Sequence, residues 1–335
     1  MNSLVRKCLS IFAFIAIPLF VLGCASKKED APNVTEDIKL NIGAVLKSED
    51  GNYKLYNYDN GKYVETKENK VIIDYDKSSS NYIYVDNGKN YVVNSGHRYE
   101  IQDENYSGLK LSKGGNYISY FIDDNGLKLK IFNTNGNKEI EMKSNVSISG
   151  TLYDWYDTDT LVYYGVSNDG VNGLFTYNIK ENKEELLYKI NEGYLAFIKS
   201  RDDDVVFLQL TLENKREVMM INKKTKDVKL LTDNIEEISD IIINKDKLYF
   251  TGKAYNNINS LYELTDNKVK RLVFDFPGTV KIEKGLEVSE NGDVLFIGSS
   301  NGDLKKEQIY TYTQDGSISE IGNSSSEYVF LAYTQ

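Results

Sequence analysis

The 335-residue sequence predicts an all-β fold, a β-propeller of four-stranded antiparallel blades. A short pattern of a polar turn, an aliphatic residue and a strand aromatic recurs at least six times. The aromatic residues of these copies lie 36 to 46 residues apart, which is the length of one propeller blade. They are Tyr84, Tyr120, Tyr163, Phe207, Phe250 and Phe296. The composition of 26 Tyr and 13 Phe against 3 Pro also favours strands over breaks in the chain.

Each copy of this pattern predicts one strand of a blade, and the other strands follow in order. A further strand that ends in a polar turn comes next, at 129–132, 174–177, 218–221 and 309–312. Shorter outer strands are predicted at 227–231 and 268–272, and an inner strand at 194–198. Asp-Gly and Asn-Gly pairs suit the hairpins between them, because both residues tolerate the positive φ of a type I′ turn.

Residues 40–335 form the predicted propeller domain, and about 42 residues per blade give seven blades. Six or eight blades remain compatible with this length. The chain ends in a lone predicted strand at 328–332, while the first strands, at 42–45, 53–56 and 62–65, lack an inner partner. We therefore expect the terminal strand to complete the first blade and close the ring, which removes an exposed sheet edge. Helix is the competing interpretation for the Glu- and Lys-rich segment 180–190.

The N-terminus predicts export and lipidation. Arg6 and Lys7 precede an apolar run from Cys8 to Leu22, which has the length of a signal-peptide core and is short for a membrane span. The run closes in Val-Leu-Gly-Cys at 21–24, which resembles the lipobox of bacterial lipoproteins. That resemblance implies cleavage of the signal peptide 1–23 and acylation of Cys24 with a fatty acid such as palmitate. A transmembrane anchor with an incidental cysteine is the alternative.

Residues 24–39 are polar and charged, without apolar periodicity, and predict a flexible tether. Such a tether would hold the propeller about 20 Å from the lipid surface. The expected location is thus the outer face of the cell membrane, to which the acyl chains hold the protein.

Two units, 111–120 and 288–296, resemble the Ser-x-x-Gly-x-x-aliphatic-x-aromatic repeat of bacterial TolB-like propellers, which have six to eight blades. The Trp-Ser-Pro-Asp start of that repeat is absent, because neither unit contains Trp or Pro. The resemblance implies the propeller fold. Members of the wider class bind proteins, peptides or sugars or act as scaffolds, and some propellers are enzymes.

Composition excludes several kinds of site. A formal net charge of −10 argues against nucleic-acid binding, which depends on clustered Lys and Arg. The only cysteines, Cys8 and Cys24, lie at the N-terminus, so the propeller has no disulfide, thiolate zinc site or cysteine nucleophile. His97 is the only histidine, which excludes a multi-histidine metal site.

No catalytic residue or metal ligand is assigned. The segment 298–302 matches Gly-x-Ser-x-Gly, but it lacks the strand-turn-helix context and the later histidine of a hydrolase, so we interpret it as a hairpin loop. Acidic groups at 157–159, 202–204 and 123–126 suit Ca²⁺, the only cofactor considered. The same residues are typical of tight turns, because Asp and Asn bond their own backbone. The turn interpretation is favoured.

Long amide-rich loops predict the binding surface. They join the second and third strands of a blade and share one face of the ring with the connections between blades. The candidate residues are Asn168, Asp169, Asn172, Tyr255, Asn256, Asn257, Asn259, Asn301 and Asp303. Tyr153, Trp155 and Tyr156 either add an aromatic anchor or pack between blades, and packing is favoured.

The sequence thus favours a monomeric, lipid-anchored propeller that binds a protein, peptide or glycan of the cell envelope. The alternative is an exported propeller enzyme, a metal-assisted hydrolase or lactonase that uses Asp and Asn around the channel. Inward carboxylates that converge within about 5 Å of one channel point would favour the enzyme, because Ca²⁺ requires such convergence. A channel lined by apolar and hydroxyl groups would favour binding.

Overall fold

The computed structural model describes residues 38–124, 126–245, 247–300, 306–322 and 324–334. They form seven antiparallel sheets arranged as a seven-bladed β-propeller, which confirms the predicted fold and blade number. Within these ranges the only helical elements are two 3₁₀ turns, Lys113–Gly115 and Ile282–Lys284. No helix among the described residues has the length and apolar character needed to cross a membrane.

The strands follow one another blade by blade along the chain. Blade 1 has β1 (Val45–Glu49), β2 (Asn52–Asp59) and β3 (Lys62–Glu65). Blade 2 has β4 (Val71–Asp76), β5 (Tyr82–Asp86), β6 (Lys89–Asn94) and β7 (His97–Glu100). Blade 3 has β8 (Tyr106–Leu111), β9 (Tyr117–Asp123), β10 (Leu127–Asn133) and β11 (Lys138–Ile140). Blade 4 has β12 (Val146–Trp155), β13 (Thr160–Ser167), β14 (Asn172–Asn178) and β15 (Lys183–Lys189).

The second half of the ring repeats this order. Blade 5 has β16 (Tyr194–Arg201), β17 (Asp204–Leu210), β18 (Arg216–Asn222) and β19 (Val228–Thr232). Blade 6 has β20 (Ile235–Asn244), β21 (Lys247–Ala254), β22 (Asn259–Thr265) and β23 (Lys268–Arg271). Blade 7 has β24 (Thr279–Val280), β25 (Leu286–Val288), β26 (Val294–Ser299), β27 (Gln308–Tyr312) and β28 (Ile318–Glu320). The chain closes with β29 (Tyr328–Phe330) and β30 (Ala332–Thr334).

The C-terminal strand closes the ring. β29 pairs antiparallel with β1 as the inner strand of blade 1, with Phe330 opposite Val45, as the sequence predicts. The chain then continues into β30, which pairs in parallel with β4 of blade 2, with Ala332 opposite Asp74. The sequence did not predict this second pairing. Because one segment completes two sheets, the last residues of the chain hold its first two blades together.

The six aromatic residues of the repeat all lie in the second strand of a blade, from β5 to β26, and none is more than 3% exposed. Several stack on an aromatic residue of the next strand in the sheet. The ring centroids of Phe250 and Tyr262 are 5.1 Å apart, and those of Tyr84 and Tyr91 are 5.3 Å apart. The aromatic position of the repeat therefore indicates which side chains fill the core of each blade, since stacked aromatic pairs bury large apolar areas.

The turns confirm the hairpin prediction. Asn87 and Gly88, between β5 and β6, have φ of 50° and 76°, as a type I′ turn requires. The segment with a competing helix interpretation forms the edge strand β15, which pairs with β14. Its backbone groups bond to the neighbouring strand, and this pairing outweighs the helical propensity of Glu and Lys.

The ring has two faces. The face that we call the short-turn face carries two kinds of turn. They join the first and second strands and the third and fourth strands of each blade. The long-loop face carries the loops between second and third strands and the connections between blades. The start of the described chain lies on the short-turn face, where the Tyr75 hydroxyl donates to the carbonyl of Ile38 at 2.9 Å. Ile38 and Leu40 are buried there, so this segment is packed against the ring.

Candidate functional site

The loop residues chosen from the sequence lie on the long-loop face in two groups. In blade 4, Asn168 and Asp169 are exposed in the turn after β13. Asn172 begins β14, and its amide nitrogen donates to the carbonyl of Gly193 at 3.2 Å, which ties the loop to the connection into blade 5. Asn172 therefore stabilises the loop of blade 4 through this hydrogen bond.

The second group lies in blade 6, and blade 5 separates it from the first. Tyr255, Asn256, Asn257 and Asn259 are all exposed in the loop after β21 and at the start of β22. The remaining two candidates, at positions 301 and 303, lie outside the described residues.

Exposed apolar side chains concentrate on this same face. Six large ones from blades 5 and 6 and from the connection into blade 7 are between 46% and 77% exposed. Two lie in blade 5, two in the loop after β21, and two in the connection between β23 and β24. We call them the apolar patch, and they are Tyr194, Leu212, Tyr255, Ile258, Phe274 and Phe276. The sequence analysis had selected only Tyr255 of this set.

A groove of about 470 Å³ lies between blades 6 and 7, and two residues of the apolar patch line it. Ile258 and Phe274 line it together with Asn257 and Asn259. The guanidinium of Arg271 lies 5.0 Å from the ring centroid of Phe274, a cation–π contact that holds the exposed ring in place. The groove thus combines apolar walls with amide groups at its edge.

The aromatic residues near the start of blade 4 pack between blades, as the sequence analysis favoured. Tyr153 makes an edge contact with Phe121 at 5.1 Å between ring centroids. Trp155 stacks on Tyr117 at 5.9 Å. Both contacts join blade 4 to blade 3, and Tyr153, Trp155 and Tyr156 are all buried. They form core rather than an exposed anchor.

A cavity of about 750 Å³ occupies the central channel on the short-turn side. Charged side chains from the first strands of several blades reach it, although these strands are otherwise largely apolar. The acids are Asp74, Asp154, Asp240 and Glu287. The bases that line the cavity include Lys110, Lys199 and Arg201. Sequence reasoning did not single them out. The available signal was a charged residue inside an inner strand, where apolar residues are expected.

Three of these acids hold neighbouring blades together. Each accepts a hydrogen bond from a backbone N–H at the inner strand of the next blade. The bonds join Asp74 to Leu111, Asp154 to Ser200 and Asp240 to Leu286, at 2.9, 2.8 and 2.9 Å. They connect blades 2 and 3, 4 and 5, and 6 and 7, and we call these three residues the aspartate clamps. Buried N–H groups need such partners, so the clamps satisfy the backbone where the sheets meet.

Lysines neutralise two of the clamps. The Lys110 ammonium lies 2.9 Å from Asp154, and Lys199 forms an ion pair with Asp240. Burial opposes ionisation of Asp154, but the Lys110 charge and the Ser200 N–H outweigh it and hold the pKa of this carboxyl below its usual range. Asp154 and Asp240 are therefore charged, paired structural groups.

Arg201 and Glu287 differ from the clamps, because neither belongs to an ion pair within the described chain. The Nη1 of Arg201 donates to the carbonyl of Tyr333 at 3.5 Å, and its Nε is buried without a hydrogen-bond partner. Glu287 is 4% exposed. Burial raises the pKa of Glu287 to about 7, with a further rise from Asp240, against the opposing charges of Arg201 and Lys199.

Glu287 predicts a specific pH dependence of stability. Its folded pKa of about 7 lies above its ordinary value of 4.5, so the folded state holds this proton over a pH range in which the unfolded state has lost it. Glu287 therefore lowers stability as pH rises from 4.5 to about 7. We expect the free energy of unfolding of Glu287→Gln, taken relative to wild type, to be about 3 kcal/mol higher at pH 8 than at pH 4. Urea unfolding across this pH range measures the difference.

Glu283→Gln is the matched control, because Glu283 is exposed in the neighbouring 3₁₀ turn. The pH-dependent gain in stability should be larger for Glu287→Gln than for this control variant. The charged and titratable groups that act on Glu287 are Lys199, Arg201 and Asp240, and its charge acts in turn on Tyr63 and Tyr333. A pH-independent difference between Glu287→Gln and wild type would contradict the assignment.

The acidic turns considered for Ca²⁺ have local partners. Asp157 accepts the N–H of Asp159 at 2.9 Å, Asp159 pairs with Lys180, and Asp203 pairs with Lys224. Within the described ranges, no three His, Cys, Asp or Glu side chains are grouped as metal ligands would be. Most of the inward carboxylates that the structure describes are bonded to backbone N–H groups or to lysine. The channel therefore matches neither the converging carboxylates expected of an enzyme nor the apolar and hydroxyl lining expected of a binding protein.

The serine of the hydrolase-like motif and His97 lie in different blades. Ser300 follows β26 of blade 7 and is exposed, and His97 begins β7, the outer strand of blade 2, and is also exposed. Residues 301–305, which directly follow this serine, lie outside the described residues.

Comparison with known proteins identifies the fold and no family. No protein-family model matches the sequence, and no curated protein matches it. Many solved structures share the architecture. The β-propeller domain of the trilobed protease from Pyrococcus furiosus has a TM-score of 0.54 at 15% identity, over 88% of this chain and 98% of that chain. Oligogalacturonate lyase from Vibrio parahaemolyticus has a TM-score of 0.52 at 12% identity, over 84% and 85% of the two chains.

Dipeptidyl peptidase 4 from Porphyromonas gingivalis has a TM-score of 0.51 at 10% identity. The match covers 87% of this chain but 54% of the peptidase, so this chain spans about half of its length. TolB from Acinetobacter baumannii is also similar, at 14% identity over 70% of this chain and 63% of that chain, with a TM-score of 0.46. At these identities the likeness shows the propeller fold alone.

Proposed function

We propose that this protein is a lipid-anchored binding module of the cell envelope that recruits a protein or peptide partner through the apolar patch. The observation that carries the proposal is the concentration of six exposed, large apolar side chains on the long-loop face of blades 5 to 7. Exposed large apolar side chains grouped on one face are typical of protein interaction sites. Aromatic residues such as Phe274 and Tyr255 are enriched at the centres of such interfaces.

The composition of the patch favours a protein or peptide over a glycan. Leu212 and Ile258 are aliphatic and stand among the aromatic residues. Aliphatic side chains stabilise a complex by burying apolar surface, for which the partner must offer apolar side chains of its own. The exposed amides of Asn257 and Asn259 beside the groove provide the polar rim that positions such a partner.

The position of the N-terminus fits this surface. The tether would join the ring at Ile38, which is packed on the short-turn face. A chain anchored through Cys24 would therefore turn its short-turn face towards the membrane, at a distance of about 20 Å. The long-loop face would point away from the lipid, where a partner can reach the apolar patch.

The inward carboxylates do not support the metal-assisted enzymatic alternative. Solved structures similar to this chain include peptidases and an oligogalacturonate lyase, but these names give the activities of those proteins and not of this chain. Three of the four inward carboxylates bond to backbone N–H groups of the next blade, so they do not form an open ligand set. The binding module is the better-supported function.

Site-specific photo-crosslinking tests the proposal. We expect a crosslinking residue at position 255 or 274 to trap a protein partner in the cells of origin. The double variant Tyr255→Ser/Phe274→Ser should weaken binding of that purified partner at least about tenfold, because both side chains are exposed candidates for the interface centre. Cys24→Ala should release the protein from the membrane fraction. Gel shifts, mass spectrometry and titration are the measurements.

Leu186→Ser/Val228→Ser is the matched control, because these apolar residues are also exposed but lie in outer strands of blades 4 and 5. It should leave partner binding unchanged. Equal crosslinking at positions 186 and 255, or a trapped species that glycosidase removes, would refute a protein partner at the patch. Wild-type protein whose Cys24 carries no acyl chain by mass spectrometry would refute the lipid anchor.

A further inference from the structure

The channel cavity contains two opposite charges that form no ion pair, although the Arg201 charge opposes the rise in the pKa of Glu287. Arg201 ends β16 of blade 5, and Glu287 lies in β25 of blade 7. Both line the cavity of about 750 Å³ on the short-turn side, and both also line a smaller cavity of about 130 Å³ beside it. Buried charges are normally paired, since an unpaired one loses its hydration without compensation. A buried Glu and a partly buried Arg that form no ion pair in one cavity therefore indicate a ligand.

The Arg201 guanidinium is suited to a carboxylate. Its five N–H groups form a planar fork that matches the two oxygens of a carboxylate. Within the described chain only one of them has a hydrogen bond, to the carbonyl of Tyr333 at 3.5 Å, which is at the limit of that interaction. The buried Nε has no partner at all among the described residues. The side chain thus has unused donors at the cavity wall.

Glu287 supplies the complementary charge. Its side chain is 4% exposed and lies in the cavity wall, and it does not form an ion pair with any described lysine or arginine. Burial raises the pKa of its carboxyl, so ionisation is disfavoured while the site is empty. An ammonium group would relieve this cost by offering both charge and N–H donors.

We propose that the channel cavity binds a small zwitterion, a free amino acid or short peptide, with its carboxylate on Arg201 and its ammonium group on Glu287. With Glu287 ionised, the four nearest charges, of Lys199, Arg201, Asp240 and Glu287, sum to zero. A zwitterion keeps this balance, whereas a simple anion or cation would leave a net charge in a buried site. Trp155, Phe197 and Leu286 also line the cavity and provide apolar surface for a ligand side chain.

This site is independent of the apolar patch. It lies on the short-turn side of the channel, and the patch lies on the long-loop face. A cavity of this volume falls in the range that holds small ligands. Binding here would place a small molecule between blades 5 and 7, close to the C-terminal segment that closes the ring.

Calorimetric titration of the full chain in detergent tests the proposal. The probes are glycine, leucine, glutamate, lysine and glycylglycine, with acetate and ethylamine as the two halves of a zwitterion. We expect saturable binding of at least one zwitterion and at least about tenfold weaker binding of acetate and of ethylamine, because each half makes only one of the two charged contacts. Affinity should rise from pH 6 to pH 8 as Glu287 becomes ionised, since its pKa is about 7.

Variants assign the contacts. Arg201→Gln and Glu287→Gln should each weaken zwitterion binding at least about tenfold, and Arg201→Lys should weaken it less, because it keeps the charge without the planar fork. Arg98→Gln is the matched control, since Arg98 lies on the outer strand of blade 2 over the ring of Tyr91. It should bind as wild type does. Circular dichroism shows that each variant is folded before it is compared.

Three outcomes would overturn the inference. They are no saturable heat with any zwitterion in the folded wild-type protein, acetate that binds as tightly as the amino acids, and folded Arg201→Gln and Glu287→Gln variants that bind as wild type does. None of these outcomes bears on partner capture at the apolar patch, which is measured by crosslinking at positions 255 and 274. The two proposals can therefore fail separately.

Discussion

Asp240→Ala should destabilise the propeller by about 3–5 kcal/mol, because it removes one partner of a buried ion pair. Asp240 pairs with Lys199 and accepts the N–H of Leu286 at 2.9 Å. Burial disfavours the charge of Lys199 and the nearby Arg201 repels it, so the pKa of Lys199 lies below its usual range even with Asp240 present. Without Asp240 that cost is uncompensated, and the N–H of Leu286 loses its acceptor. Urea unfolding at pH 7 measures the loss.

Asp203→Ala is the matched control, because it also removes the acid of one Asp–Lys pair. The side chains of Asp203 and Lys224 are 57% and 73% exposed, so solvent screens this pair and its loss should destabilise the fold much less than Asp240→Ala does. Asp240→Asn should fall between the two, since its amide oxygen can still accept the Leu286 N–H. Equal effects of Asp240→Ala and Asp203→Ala would show that the clamp contributes nothing beyond a surface pair.

Truncation after Glu327 should abolish the stable fold. It removes β29 and β30, and with them the buried side chains of Tyr328, Phe330, Leu331 and Tyr333. At about 1.5–3 kcal/mol for each buried side chain, the loss is roughly 6–12 kcal/mol. This equals the whole net stability of a typical domain. Circular dichroism and limited proteolysis of the truncated chain measure the outcome.

Truncation after Leu331 separates the two closing strands. It removes β30 and keeps β29 paired with β1, so blade 1 retains its inner strand while blade 2 loses its parallel one. We expect a folded but destabilised ring, with protease cleavage first in the strands next to β4. If both truncated chains unfold in urea as the full chain does, the closure of the ring by the C-terminus is not a source of stability.

The architecture was predictable because its signals are local. The aromatic residue of each second strand recurs at the blade length, and turn pairs such as Asn87 and Gly88 mark the hairpins. The edge strand β15 was the ambiguous case, since its Glu and Lys residues also suit a helix. Strand pairing with β14 decided it, and a local pattern does not report such pairing.

The candidate surfaces were predictable only in part. Loop length and composition led to Tyr255, Asn257 and Asn259, which the structure places on the long-loop face. Phe274 was missed because an aromatic residue in a repeat rich in buried aromatics looks like core. Whether such a side chain is buried depends on the neighbouring blade, and that neighbour is distant in sequence.

By itself the sequence determined the all-β class, the seven blades, the closing strand and the face that carries the long loops, since turn chemistry and strand periodicity act over a few residues. Only the tertiary structure decided which charges meet in the channel. Arg201, Asp240 and Glu287 come from three blades and stand 39 and 47 residues apart in the chain. Their proximity depends on the curvature of the ring, because electrostatic interactions follow distance in space rather than in sequence.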